Sequence, residues 1–145
     1  MLDFAFAARI VEDPDGGFLV TFPDVPEAIT GGDTLAEARA NAVEALGLAL
    51  RGVLAMDRPL PQASTQSGGD LEVVTVAPEA ALKLAVVEAF RASGLSKSEF
   101  ARRLDKGETE ARRILDPDHP TKLATLDAAL RLLGKQVFVT VKDAA

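Results

Sequence analysis

Lys97, Lys106, Thr109, Glu110, Arg112 and Arg113 lie close together in the chain, among regularly spaced apolar residues. These side-chain types can read a nucleic acid. A guanidinium pairs with a guanine edge or a phosphate, a hydroxyl reaches base edges, and a carboxylate accepts from the cytosine amino group. On that chemistry Thr109, Glu110, Arg112 and Arg113 are base-edge or phosphate candidates. Lys97, Lys106, Thr121 and Lys122 stand near expected helix starts and suit phosphate contacts. Taken singly, each is also a residue that a solvated helix face carries.

Catalytic patterns are missing by comparison. The sequence offers no paired Ser and His, no metal-spaced histidines and no Gly-rich phosphate loop. The single histidine, His119, falls in a loop and is expected to be exposed. Asp3, Asp24, Glu27, Asp33 and Glu44 could in principle hold a metal ion. A solvated acidic face is the simpler reading, so no catalytic residue, metal or cofactor is expected.

The elements that must position the cationic residues follow from spacing. Pro78 opens a helical pattern with Leu82, Ala85, Val86, Ala89 and Phe90 on one stripe, ended by Gly94. Ser96 and Glu99 form a capping box for a short helix that turns Phe100, Ala101 and Leu104 inward. Asp105, Lys106 and Gly107 suit a tight turn, with Gly107 free to take unusual backbone angles. A second short helix runs over 108–115, with Ala111, Ile114 and Leu115 buried. After a DPDHP loop, Thr121 can cap a helix to Leu133, which Gly134 ends. Residues 136–141, QVFVTV, predict a final strand.

Two short helices joined by about three residues form the motif whose second helix enters the major groove. Small Ala101, the locking residues Phe100, Leu104, Ala111 and Ile114, and the outward polar residues meet its physical needs. The segment LSKSEFARRLDKGETEARRIL resembles repressor-type helix-turn-helix segments, with their L-S-x-x-x-x-A-x-x-L…I-L pattern. It departs at Asp105, where that pattern commonly has glycine.

Upstream, Phe4, Phe6, Ala8 and Ile10 alternate with Ala5, Ala7, Arg9 and Val11, which predicts a strand. The DPDGG turn leads to a second strand over 18–22, and a short third strand is expected over 27–30. Thr34 and Glu37 form a capping box before Leu35, Ala38, Ala42, Leu46, Ala49, Leu50 and Val53. That spacing predicts a helix over 35–55. Residues 57–70 are a Pro/Ser/Gly-rich linker, and 71–76 a fourth strand. The fold class is therefore α+β: a β-β-β-α-β domain over 1–77, then an all-α domain over 78–145 with a terminal strand.

An apolar content of 48% excludes a disordered chain, and the absence of cysteine excludes disulfides and thiolate metal sites. No apolar run suits a membrane span. No signal peptide is read at the start, and a cytoplasmic location is expected. The net charge of −6 is uneven. Residues 1–80 hold four Lys/Arg against thirteen Asp/Glu, a net of −9, and residues 81–145 hold twelve against nine, a net of +3. Such asymmetry suggests halves with different partners.

The stretch GFLVTFPDVPEAITGGDTLAEARANAVEALGLAL carries Phe22, Pro23, Asp24, Pro26, Gly32, Asp33, Thr34, Glu37, Ala38, Asn41, Ala42, Glu44, Ala45 and Leu46. This F-P-D-x-P, then G-D-T-x-x-E-A-x-x-N-A-x-E-A-L, resembles the HicB antitoxin family. HPTKLATLDAALRLLG resembles the family's helix-turn-helix variant. Glu27-Ala28 replaces the Gly-Cys often found after the second proline, and the tyrosines frequent in the family's strands are absent.

The resemblance implies a partial ribonuclease-H-like N-terminal domain that is not an enzyme and that masks a HicA-type mRNA-cleaving toxin. It also implies a DNA-binding half that represses the operon. The toxin-contacting residues are not legible. Such repressors bind as two-fold dimers, so a homodimer or higher homo-oligomer is expected. Two other readings stand beside it. One is a one-component transcriptional regulator whose N-terminal domain senses a ligand. The other is a two-metal nuclease, which needs carboxylates converging at one end of a sheet.

Overall fold

Alternation along the first strand puts Phe6, Ala8 and Ile10 on one face, and the first half of the chain is organised around burying it. The computed structural model describes residues 1–64 and 68–143. Residues 65–67 of the linker stretch, and residues 144–145, lie outside the described residues. Two compact units are present, residues 1–84 and 85–145.

In the first unit β1 (Ala5–Glu12), β2 (Phe18–Thr21), β3 (Ile29–Gly32) and β4 (Leu71–Thr75) make one antiparallel sheet in the order β3-β2-β1-β4. Ile10 pairs with Val20, and Phe6 with Val74. Phe6, Ala8, Val20 and Val74 are buried on the face covered by α1 (Leu35–Ala55). The helix answers with Ala38, Ala42, Leu46, Gly47, Leu50, Val53 and Leu54. Each large member, such as Leu46 or Leu50, contributes about 1.5–3 kcal/mol by leaving water. Thr34 caps the helix, its Oγ1 accepting from the Glu37 backbone N at 3.1 Å.

Small residues set the distance between helix and sheet. A Cβ built on Gly32 would sit 2.6 Å from the Ala38 backbone nitrogen, so only glycine fits where β3 meets α1. The third strand accordingly lies two residues later than the expected 27–30. The residues before it turn instead: the Val25 N donates to Phe22 O at 3.1 Å and the Ala28 N to Val25 O at 2.9 Å. Pro23 and Pro26 favour those turns, and the strand resumes only at Ile29.

In the second unit the described helices are the end of α2 (Pro78–Ser93), α3 (Lys97–Arg103), α4 (Glu108–Ile114) and α5 (Leu123–Leu132). Phe100 is fully buried, its ring 5.2 Å from that of Phe90 and tilted by 57°. Ala101, Ala111, Ile114, Leu115, Leu126, Ala129 and Leu130 complete the core, while Leu104 is half-buried. Burial along α2 is wider than the expected stripe. Leu84 to Val87 are consecutively buried, whereas Leu82 and Phe90 are half-buried.

The turn between α3 and α4 differs from expectation in one residue. Asp105, not Gly107, takes the left-handed conformation, with φ of 56°. The Asp105 N donates to Arg102 O at 3.1 Å and the Lys106 N to Ala101 O at 3.0 Å, which is a Schellman closure of α3. Gly107 has φ of −70° and is the N-cap of α4. Asp105 thus occupies the glycine position of the repressor pattern by adopting glycine's geometry, which aspartate tolerates better than most residues.

Two further expectations are corrected. Thr121 does not cap α5; Lys122 is the N-cap, and the Thr121 hydroxyl donates to His119 O at 3.5 Å. Residues 136–141 form no strand in the single chain. A strand exists only by pairing its backbone groups, and the second unit contains no described strand to pair with.

Replacing Asp105 with glycine removes the left-handed cost at the expense of unfolded-state entropy. We expect Asp105→Gly to stabilise the chain by up to about 1 kcal/mol, seen as a melting temperature a few degrees higher.

Candidate functional site

The cationic residues are presented by two helices of seven residues each, too short to stand alone and held by their shared core. Ser96 starts α3, its Oγ accepting from the Glu99 N at 3.1 Å. Burying Phe100 and Ala101 points the rest of α3 outward, and burying Ala111 and Ile114 does the same for α4. Thr109, Arg112 and Arg113 are all exposed. Their i, i+3 and i+4 spacing makes them neighbours on one side of α4.

The other expected residues divide. Lys97 is exposed at the first position of α3. Lys106 precedes α4, and its Nζ lies 3.6 Å from Glu110 Oε1. That ion pair ties Glu110 to the turn. Lys122 is exposed at the start of α5, and Thr121 is half-buried just before it. Lys97, Lys106, Thr109, Glu110, Arg112 and Arg113 thus belong to the α3–turn–α4 segment, whereas Thr121 and Lys122 belong to α5.

Two features of the site were not anticipated. Glu99 accepts from Arg102 Nε at 3.0 Å and Arg103 Nε at 3.0 Å, which engages both arginines on α3. The spacing of Glu99, Arg102 and Arg103 was a readable signal for this pairing. Ser98 Oγ donates to Glu108 Oε1 at 2.7 Å, joining the first turns of α3 and α4. Nothing in the sequence marks that bond, because it depends on the turn geometry.

Several acidic residues of the first unit are engaged in local structure. Asp3 accepts from the Ala5 N at 3.1 Å, and Asp24 from the Ser64 N and Oγ at 2.9 and 2.7 Å. Glu27 pairs with Arg58 at 3.2 Å. Glu72 on β4 accepts two bonds from Arg39 on α1, at 2.8 and 2.9 Å, and the guanidinium holds its carboxyl below the ordinary range. Among the described residues no cluster of three or more His, Asp or Glu is placed to hold a metal ion. No described helix is long and apolar enough to cross a membrane.

Residues 5–85 match the family described as HicB-like antitoxins of bacterial toxin–antitoxin systems. The chain belongs to the HicB-like antitoxin family. An Escherichia coli K12 protein named Antitoxin HicB is 34% identical over 136 residues, covering 94% of this chain and 98% of the relative. Antitoxin HicB 2 of Photorhabdus laumondii is 36% identical over 126 residues, 87% of this chain and 88% of the relative. Antitoxin HicB of Pseudomonas fluorescens is 29% identical over 141 residues, 97% and 96% of the two chains. The HicB-like family match spans the sheet and α1, and the longer alignments run on through α3, α4 and α5.

Hydrogen bonds from Arg102 and then Arg103 hold the Glu99 carboxyl down from 4.5 to about 2. Its folded value lies below its unfolded one, so its stabilising contribution is full above about pH 4.5 and disappears as the pH falls towards 2. The melting temperature should therefore drop more across that window in the native chain than in Glu99→Gln. Parallel acid limbs for the two proteins in calorimetry would contradict it.

Proposed function

We propose that this chain neutralises a HicA-type mRNA-cleaving toxin and represses its own operon by sequence-specific DNA binding. Residues 1–77 are the toxin-masking part, and residues 78–145 the DNA-binding and dimerising part. The observation that carries this reading is the end-to-end alignment with an antitoxin of E. coli, which spans both halves of the chain.

Charge supports the division of labour. The −9 of residues 1–80 complements a small basic toxin, speeding encounter and favouring the right partner. The sheet face opposite α1 leaves Leu19, Ile29 and Val73 exposed, apolar surface that a bound protein would cover. The partial ribonuclease-H-like architecture proposed for this part is supported by its β-β-β-α-β order.

In the second part α3, the Asp105 turn and α4 make a helix-turn-helix, with α4 as the recognition helix. Thr109, Glu110, Arg112 and Arg113 reach base edges or phosphates, and Lys97, Lys106, Thr121 and Lys122 hold the backbone. The Lys106–Glu110 pair keeps Glu110 in place for a cytosine amino group while Lys106 offsets its charge near phosphate. The proposed site is cytoplasmic and needs no cofactor.

Two experiments test the reading. A small basic protein encoded by a neighbouring reading frame, co-expressed with this chain, should form a complex that pulls down together and loses ribonuclease activity. If that neighbour stays active and unbound, the chain is a one-component regulator. For the DNA, Arg112→Ala with Arg113→Ala should abolish the gel shift of operator DNA at physiological salt while the circular dichroism spectrum is retained. A folded double variant that still shifts operator removes α4 from the interface.

A further inference from the structure

Arg102 and Arg103 are exposed cations on α3, and the DNA-binding reading uses neither. One carboxylate holds both. Arg102 spans the two oxygens of Glu99, with its Nε 3.0 Å from Oε2 and a terminal nitrogen on Oε1. Arg103 adds a third bond, from its Nε to Oε1 at 3.0 Å. Two guanidiniums thus converge on one small anion. A carboxylate and a phosphodiester present a similar pair of oxygens to arginine, so donors that grip the first suit the second. The same bonds hold the Glu99 carboxyl down to about 2, so it is an anion at neutral pH.

The place of this cluster on α3 follows from the core. Phe100 and Ala101 turn inward, which leaves Ser98, Glu99, Arg102 and Arg103 on the outer side. Arg102 lies four residues beyond Ser98 and is its neighbour on the helix surface. Ser98 bonds to Glu108 in the first turn of α4, at 2.7 Å. Arg102 is therefore on the flank of α3 nearest the start of α4. In a helix-turn-helix the start of the second helix meets base edges, and the first helix crosses the sugar–phosphate backbone. In that docking the cluster on α3 meets phosphate.

We propose that Arg102 and Arg103 form a binding site for DNA backbone phosphate, which Glu99 occupies in the free chain and vacates when phosphate replaces it. The inference rests on the helix-turn-helix reading and adds to it a site with a built-in competitor. Glu99 acts in two ways. It must be displaced before either arginine turns to the DNA, and its charge repels the incoming phosphate. The displacement is within reach because the pairs are exposed: Arg102 keeps 72% of its side chain in water and Arg103 49%. Exposed ion pairs are weak, so phosphate can take the place of the carboxylate with some loss of affinity. Contacts of this kind position the protein without reading sequence, so the site acts alike on all DNA.

The test is fluorescence anisotropy on the full chain with two duplexes of equal length, over a series of salt concentrations. One duplex comes from immediately upstream of the chain's own reading frame, and the other has that sequence scrambled. Arg102→Ala with Arg103→Ala should flatten the slope of log affinity against log salt by about one to two on both duplexes. Glu99→Gln should tighten binding to both by at least about threefold. That gain should vanish when both arginines are alanine. Asp127→Asn is the control, because it removes the same charge from a single pair with Arg131 on α5 and should tighten binding clearly less. Thermal melts confirm that each variant folds. An unchanged slope in the arginine variant overturns the proposal. So does a gain from Glu99→Gln that Asp127→Asn matches, or one that survives the loss of both arginines. A native chain that binds the two duplexes equally overturns the operator reading alone, and the slopes still decide the phosphate site. A native chain that binds neither overturns both.

Discussion

The close seating of α1 on one face of the sheet is the contact from which the first unit follows. Ala38 and Ala42 keep the helix near the strands, and Gly32 leaves room for the Ala38 backbone where a Cβ would collide with it. At that distance Leu46, Leu50 and Leu54 are removed from water entirely. The two-residue Arg39–Glu72 clasp and the bond from Asn41 Nδ2 to Gly31 O, 2.8 Å long, fix the helix against β4 and β3. One face of the sheet is thereby committed. The other carries Leu19, Ile29 and Val73 exposed.

The second unit solves a different problem. Its helices α3 and α4 are below the length at which a helix persists in water, so they exist only as a packed pair. Phe100 against Phe90, with Ala101, Ala111 and Ile114 beside it, supplies the burial. The Asp105 turn and the Ser98–Glu108 bond set how the two helices leave one another. Phe100 and Ala101 of α3, and Ala111 and Ile114 of α4, are the residues those helices commit to that core. Glu99 engages Arg102 and Arg103 on α3, and Thr109, Arg112 and Arg113 are exposed on α4.

For a HicB-like antitoxin the two solutions are complementary. The chain joins an acidic α+β half, with a net of −9 over residues 1–80, to a helical half with a net of +3 over residues 81–145.

The sequence by itself determined the elements whose causes are local. Periodicity and capping residues placed α1 over Leu35–Ala55, and Thr34 and Ser96 cap as their spacing implies. The F-P-D-x-P and G-D-T motifs were enough to identify the family. Tertiary structure decided whatever depends on residues far apart in the chain. It placed β3 at Ile29–Gly32, because pairing with Phe18–Thr21 and room for α1 outweigh local propensity. It chose Asp105 over Gly107 for the left-handed turn, because closing α3 requires that conformation one residue after its C-cap. It also denied residues 136–141 a strand, because a strand is a relation between two segments and no sequence pattern can supply the second.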